Sequence, residues 1–319
     1  MLKRKNEATD AISGRVIYRT KEDVKDWHGR PLFPKRQINE PIVIELGLAY
    51  QAWLRNIFTY FKPEQEYDKQ GRVGGGRCAQ ALQWAASSPQ AGVGYLIRQA
   101  LRAGWQLDEE ALKNALSLIR PYRNGAEDES IQALYERIRG EVYEQDQDDT
   151  IEDIEEDQQN GKFVHNRAAL RALLDQGVQI LRRSPYGKWE TLKSKILDTA
   201  GDDKIVLFAQ PIETVTSLEK FIRQTMGVKS AIISGGQSDE ARDEEIKRFS
   251  SKDGPRFLIS SRAGGEGINL QVARRLVHLD VPWNPMELEP RVGRVHRFGS
   301  TRTIIVDTLV TKDSREERA

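Results

Sequence analysis

The chain has 319 residues, with 49 Lys or Arg against 48 Asp or Glu and a single cysteine, Cys78. That length suffices for one large or two ordinary domains with real cores, and the lone thiol excludes an internal disulfide and a cysteine-based zinc site. No apolar stretch reaches the roughly 18 residues of a membrane span, and the basic start MLKRKNEATD lacks a signal peptide's apolar run, so a soluble intracellular protein in a reducing, cytoplasmic compartment is expected.

Residues 15–45 hold Tyr18-Arg-Thr-Lys-Glu-Asp-Val24, then Trp27 and Leu32-Phe33-Pro34, and an extended run follows from Pro41 to Leu46. From Leu48 to Phe61 the apolar residues Trp53, Leu54, Ile57, Phe58 and Phe61 recur at helical spacing. Gly71-Arg-Val-Gly-Gly-Gly-Arg77 suggests a phosphate cradle only superficially. It lacks the Gly-Lys-Ser/Thr that puts an amine on phosphates and a hydroxyl on magnesium, so it reads as a connector. Ala79 to Leu101 predicts two helices broken near Ser87-Ser88-Pro89, Glu109 to Ile119 a third that stops before Pro121, and Glu129 to Val142 a fourth. These segments predict a helical insert that grips or braces.

Between Glu141 and Asp157 stand ten carboxylates and no Lys or Arg, so the net +1 of the chain leaves +11 for the remainder. The acidic run predicts disorder or a solvated helix, and it could mask a basic surface. A basic body suits a polyanion, DNA or RNA alike. The four histidines, His28, His165, His278 and His296, are scattered singly, and no metal site is expected.

Val164 to Leu181 is amphipathic, and Trp189, Leu192, Ile196 and Leu197 lead onward. Strand-like and helical stretches then alternate: Ile205 to Ala209, Thr214 to Met226, Ala231 to Ser234, Ser238 to Phe249, Phe257 to Ser260, Leu276 to Asp280, a helix-like Met286 to Phe298, and Ile304 to Leu309. Five apolar runs with helices between them predict an α/β fold with a parallel sheet. Ligands of such sheets bind at strand ends. On the Met286–Phe298 segment Arg291, Arg294 and Arg297 recur every three residues around Gly293, which predicts three guanidiniums near one helical face. Residues 291–302 hold four arginines, His296 and no carboxylate. A solvated basic helix would explain the arginines alone; a polyanion site explains them together with their surroundings.

Those surroundings are Gly264-Gly-Glu-Gly-Ile-Asn-Leu-Gln271, Asp280-Val-Pro-Trp-Asn-Pro285 and Arg291-Val-Gly-Arg-Val-His-Arg297. Together they resemble motifs V and VI of Swi/Snf-type ATPases, a branch of helicase superfamily two. The resemblance implies a RecA-like parallel sheet flanked by helices, the second of two lobes that close on ATP. It implies arginine fingers at Arg294 and Arg297, nucleotide-side contacts at Gly267, Asn269, Arg291 and Gly293, and nucleic-acid contacts at Gln210, Ser234, Gly235, Gly236, Ser261 and Trp283. ATP with Mg²⁺ is the implied cofactor, the metal being held by a first lobe in cis or trans, and double-stranded DNA is the implied partner. No membrane partner is expected.

The implied organisation is an inter-lobe segment with the end of the first lobe at 1–46, a helical insert at 47–140, an acidic linker at 141–162 and a RecA-like lobe at 163–319 that stops short of further helices. A bacterial origin and nucleoid association would follow. Pro290, Ser300 and Arg262 depart from the family pattern, where Gln, Gln and an acidic residue are usual. With no Walker loop or Asp-Glu box in the sequence, the expectation is a translocase half that does not hydrolyse ATP unaided. The competing readings are a non-catalytic DNA-binding or regulatory lobe and an RNA-directed motor.

Overall fold

The computed structural model describes residues 21, 23–62, 76–123, 125, 128–147, 165–261, 267–281, 286, 288–298, 302–312 and 314. Strands β1 (Arg36–Ile38), β2 (Ile42–Ile44), β3 (Ile205–Phe208), β4 (Ala231–Ile233), β5 (Phe257–Ser260), β6 (Arg275–His278) and β7 (Ile304–Thr311) form one parallel sheet. Its order is β1-β7-β6-β3-β5-β4, and β2 pairs with the later part of β7. Strands covered on both faces read as continuous apolar runs, and every residue of β3 and β5 is buried. Alternate residues feed opposite layers: Ile205 and Leu207 join the core on one face, Val206 and Phe208 that on the other. Register places Leu207 between Ile259 and Val277. The result is a parallel α/β lobe with a core on each face of the sheet.

The five expected strands are present, and residues 36–44 add two more along the β7 edge. The sequence Asn39-Glu-Pro41 divides them. Asn39 N–H still donates to Val306 O at 2.9 Å, but Pro41 has no N–H to offer.

Among the described residues six α-helices make the preceding region: α1 (Leu48–Phe61), α2 (Gly76–Ser87), α3 (Pro89–Arg102), α4 (Glu110–Ile119), α5 (Ile131–Gln147) and α6 (Arg167–Arg183). They share a separate core running from Trp53 to Leu181. Helix α3 is buried from Pro89 through Leu101, and the others surround it. Trp53 is the hub, donating Nε1–H to Leu173 O at 2.9 Å. A Cβ on Gly92 would come within 2.6 Å of its ring and one on Gly177 within 2.8 Å, so these glycines set how closely α3 and α6 approach. The expected break at Ser87-Ser88-Pro89 is an N-cap: Ser88 Oγ accepts from Ala91 N–H at 3.1 Å, with Pro89 at the first helical position.

The lobe is completed by α7 (Gly187–Leu192), which runs into one π turn at Lys193–Leu197, and by α8 (Ile212–Met226), α9 (Asp239–Ser250) and α10 (Leu288–Val295). Helix α10 is shorter than the Met286–Phe298 expectation, and Arg297 lies beyond its end. Among the described residues no helix is long and apolar enough to cross a membrane, and no His/Cys/Asp/Glu group could hold a metal ion.

Candidate functional site

The carboxyl ends of β3, β5 and β6 converge with α10. Part of this rim is covered by the α2–α3 turn. Ser87 Oγ donates to Asp280 Oδ2 at 3.0 Å, Ser87 and Ser88 each meet Thr214 Oγ1, and Gln83 Nε2 donates to Gln210 Oε1 at 2.6 Å. Asp280 also accepts Gln210 N–H at 2.8 Å. Gln210 therefore joins the strand ends to the helical region. Sequence reasoning missed this junction, and the one available signal was the run of small hydroxyls ahead of Pro89.

Around α10 the loop after β5 is laced to the helix end. Gly267 takes a φ of 77°, a left-handed conformation that favours glycine, and Ile268 and Leu270 then turn into the core. Leu270 N–H donates to Arg294 O at 3.0 Å, Arg297 Nη2 to Ile268 O at 3.2 Å, and Gln271 Nε2 to Phe298 O at 2.7 Å. Asn269 is exposed between them, its Oδ1 accepting Gln271 N–H at 3.2 Å.

The three arginines differ, which corrects the expectation of one shared face. A three-residue step drifts by about 60° on a helix with 3.6 residues per turn, which turns Arg294 away from Arg291, and Arg297 lies past the helix end at Val295. Arg291 turns inward. Its side chain is 8% exposed, its Nη1 lies 3.7 Å from Asp280 Oδ1, and its guanidinium sits 5.7 Å from the Phe208 ring centroid. Burial, and secondarily that guanidinium, lower the pKa of neighbouring His278 to about 3, so its imidazole is neutral. Arg294 is half-buried and makes no ion pair or side-chain hydrogen bond among the described residues. Among the described residues Arg297 is held by backbone carbonyls alone, Gly293 O at 3.3 Å and Ile268 O at 3.2 Å. Gly293, half-buried, leaves room around its Cα: a Cβ there would find only Lys21 Nζ within 4 Å, at 3.8 Å.

At the β4 end, Ser234 is buried and its N–H donates to Gln237 Oε1 at 2.9 Å, while Gly235 and Gly236 are exposed in the turn before α9. Ser261 is buried at the end of β5, with its N–H on Ile233 O at 2.8 Å. The two serines thus lie beneath the surface while the two glycines form it. Trp283, Arg262 and Ser300 lie outside the described residues; Pro290 sits in the first turn of α10, where a missing N–H costs little.

Residues 187–299 match the helicase conserved C-terminal domain. An uncharacterized ATP-dependent helicase of Bacillus subtilis, YqhH, is 35% identical over 148 residues, covering 46% of this chain and 25% of that protein. The RNA polymerase-associated protein RapA of Vibrio campbellii is 35% identical over 115 residues, covering 36% and 12%. Among solved structures, the C-terminal part of the Fun30 ATPase domain aligns with a TM-score of 0.47 and 20% identity, over 90% of this chain and 88% of that one. The Sulfolobus solfataricus SWI2/SNF2 ATPase core in complex with dsDNA aligns at 0.43 and 21%, over 98% and 48%. Residues 187–299, which hold β3 to β6 and α10, are thus similar to a helicase C-terminal domain. The chain spans a quarter or less of the length of the curated relatives it matches.

Proposed function

We propose that this chain supplies the second motor lobe of an ATP-dependent double-stranded DNA translocase. ATP would be hydrolysed between this lobe and a first RecA-like lobe, in cis or trans, that cradles the phosphates and holds Mg²⁺. Arg294 and Arg297 act as arginine fingers. One observation carries this reading: among the described residues these two guanidiniums make no ion pair with a carboxylate, whereas Arg98, Arg123, Arg275 and Arg291 are all committed to acids of their own chain. Unneutralised guanidiniums at a strand-end rim suit the charge that develops on a transferring phosphoryl group.

Gly267, Asn269 and Gly293 shape the nucleotide side. Arg291 serves that side from below, by fixing α10 on Asp280. Gln210, Ser234, Gly235, Gly236, Ser261 and Trp283 form the DNA side, where exposed glycines let backbone N–H groups approach a phosphate. The experiment is ATP turnover of this chain alone and combined with a matching first lobe, with and without duplex DNA. Turnover only in the combination, stimulated by DNA more than by duplex RNA at fixed salt, supports the proposal. DNA-stimulated turnover by the chain alone refutes it.

A further inference from the structure

Helix α10 has only eight residues, so half of its carbonyls lie in the last turn, where no intrahelical donor is guaranteed. Each of those carbonyls is satisfied. Val292 O takes His296 N–H at 2.8 Å, Gly293 O takes Arg297 Nε at 3.3 Å, Arg294 O takes Leu270 N–H at 3.0 Å, and Val295 O takes Arg297 N–H at 3.1 Å. The next carbonyl, His296 O, takes Lys21 Nζ at 2.8 Å. The first four donors come from motifs V and VI themselves. Lys21 comes from the inter-lobe segment, 275 positions away.

That contact belongs to a larger grip. The Lys21 ammonium lies 5.6 Å from the centroid of the Phe33 ring, which meets His296 and Phe298 edge-on at 5.9 and 6.4 Å. His296 Nε2 is 2.8 Å from Pro34 O, and the ring is almost fully buried. At the other end of the helix, Arg36 Nη1 donates to Glu289 Oε1 at 2.7 Å. The inter-lobe segment thus holds α10 at its first turn and at the carbonyl just past its end, and the arginines project from the span between and just beyond. A cation at a helix C-terminus is favourable; burial nevertheless lowers the Lys21 pKa, Glu289 partly offsets this, and Arg36 and Arg297 add to the lowering.

We propose that Lys21, seated on the Phe33–Pro34 turn, is a positioning residue that fixes Arg297 and, through the end of α10, Arg294. The inference rests on the reading of those two arginines as fingers. It adds that their aim is set by the inter-lobe segment as well as by the lobe that carries them. A finger displaced by about 1 Å forfeits much of its effect on rate, whereas substrate binding by the opposite lobe is unaffected.

The test uses the two-lobe protein, with kcat and KM for ATP measured at saturating duplex DNA for Lys21→Met, Lys21→Arg and Arg294→Ala. Lys21→Met is expected to lower kcat by about tenfold or more, the equivalent of one charge-assisted hydrogen bond, with KM changed less than about twofold. Lys21→Arg, which keeps the donor, should recover most of that loss; a merely structural defect would not be rescued this way. His296→Asn, which removes the ring packed against Phe33 and Pro34, should show the same split of kcat from KM. If Lys21→Met stays within about twofold of the parent kcat while Arg294→Ala abolishes turnover, the positioning role is overturned and the finger assignment stands. If Arg294→Ala is itself without effect, both fall.

Discussion

Replacing Glu213 by Gln perturbs the buried charge cluster that joins the helical region to the sheet. Glu213 lies in the first turn of α8 and is wholly buried. Its Oε1 accepts from Arg123 Nη1 at 2.8 Å and from Arg98 Nη2 at 3.1 Å, and Arg123 also pairs with Glu141. Helix α3 closes over the site so tightly that a Cβ on Gly94 would come within 2.6 Å of Oε1. Glutamine keeps the shape and an acceptor but removes the charge, leaving two buried guanidiniums with Glu141 as their remaining acid. Breaking a buried pair in this way costs about 3–5 kcal/mol. An exposed pair such as Lys193–Asp198 is worth about 0–1 kcal/mol. Urea denaturation followed by tryptophan emission reports the site, because Arg98 stacks 4.8 Å from the ring centroid of Trp84. Burial alone would push the Glu213 carboxyl up, but Arg98 and Arg123 outweigh it and the net shift is downward. A carboxylate lowered on folding contributes stability above its unfolded pKa and loses it as pH falls through the folded value. Glu213→Gln should therefore cost most near neutrality and progressively less in acid. A loss below about 1 kcal/mol at neutral pH, the range of an exposed pair, refutes the reasoning.

Gly177→Ala should destabilise the helical region by about 1–3 kcal/mol, because the new methyl meets Val93 Cγ2 at 2.6 Å and Trp53 Cζ2 at 2.8 Å; the urea midpoint measures it. His278 is held neutral down to about pH 3, while the unfolded chain titrates near 6.5, so the unfolded state binds the extra proton between those values. Stability should fall on acidification through that window, and His278→Gln should flatten the slope by about one proton's worth.

Much of the lobe was legible because its determinants are local. The runs at 205–209, 231–234 and 257–260 are apolar on both faces and bounded by turn residues, and the periodicity of 48–61 coincides with α1. β1 was not legible, since Arg36-Gln37-Ile38 has no strand pattern of its own and is placed by pairing with Ile304–Val306 of β7. The end of α10 at Val295 was equally hidden, because its last carbonyls are met by Leu270 and Arg297 rather than by a local stop signal. In the candidate site, the cluster of arginines could be read from spacing, but the inward turn of Arg291 could not. Its acid, Asp280, stands 11 positions earlier, and only the fold brings them together.

The central claim is that Arg294 reaches a phosphate held by another lobe. Single-turnover ATP hydrolysis by the two-lobe protein on duplex DNA, comparing the parent with Arg294→Ala, tests it most directly. The account predicts a fall of about three to five powers of ten with the urea midpoint and DNA affinity unchanged. A rate within about tenfold of the parent would contradict it.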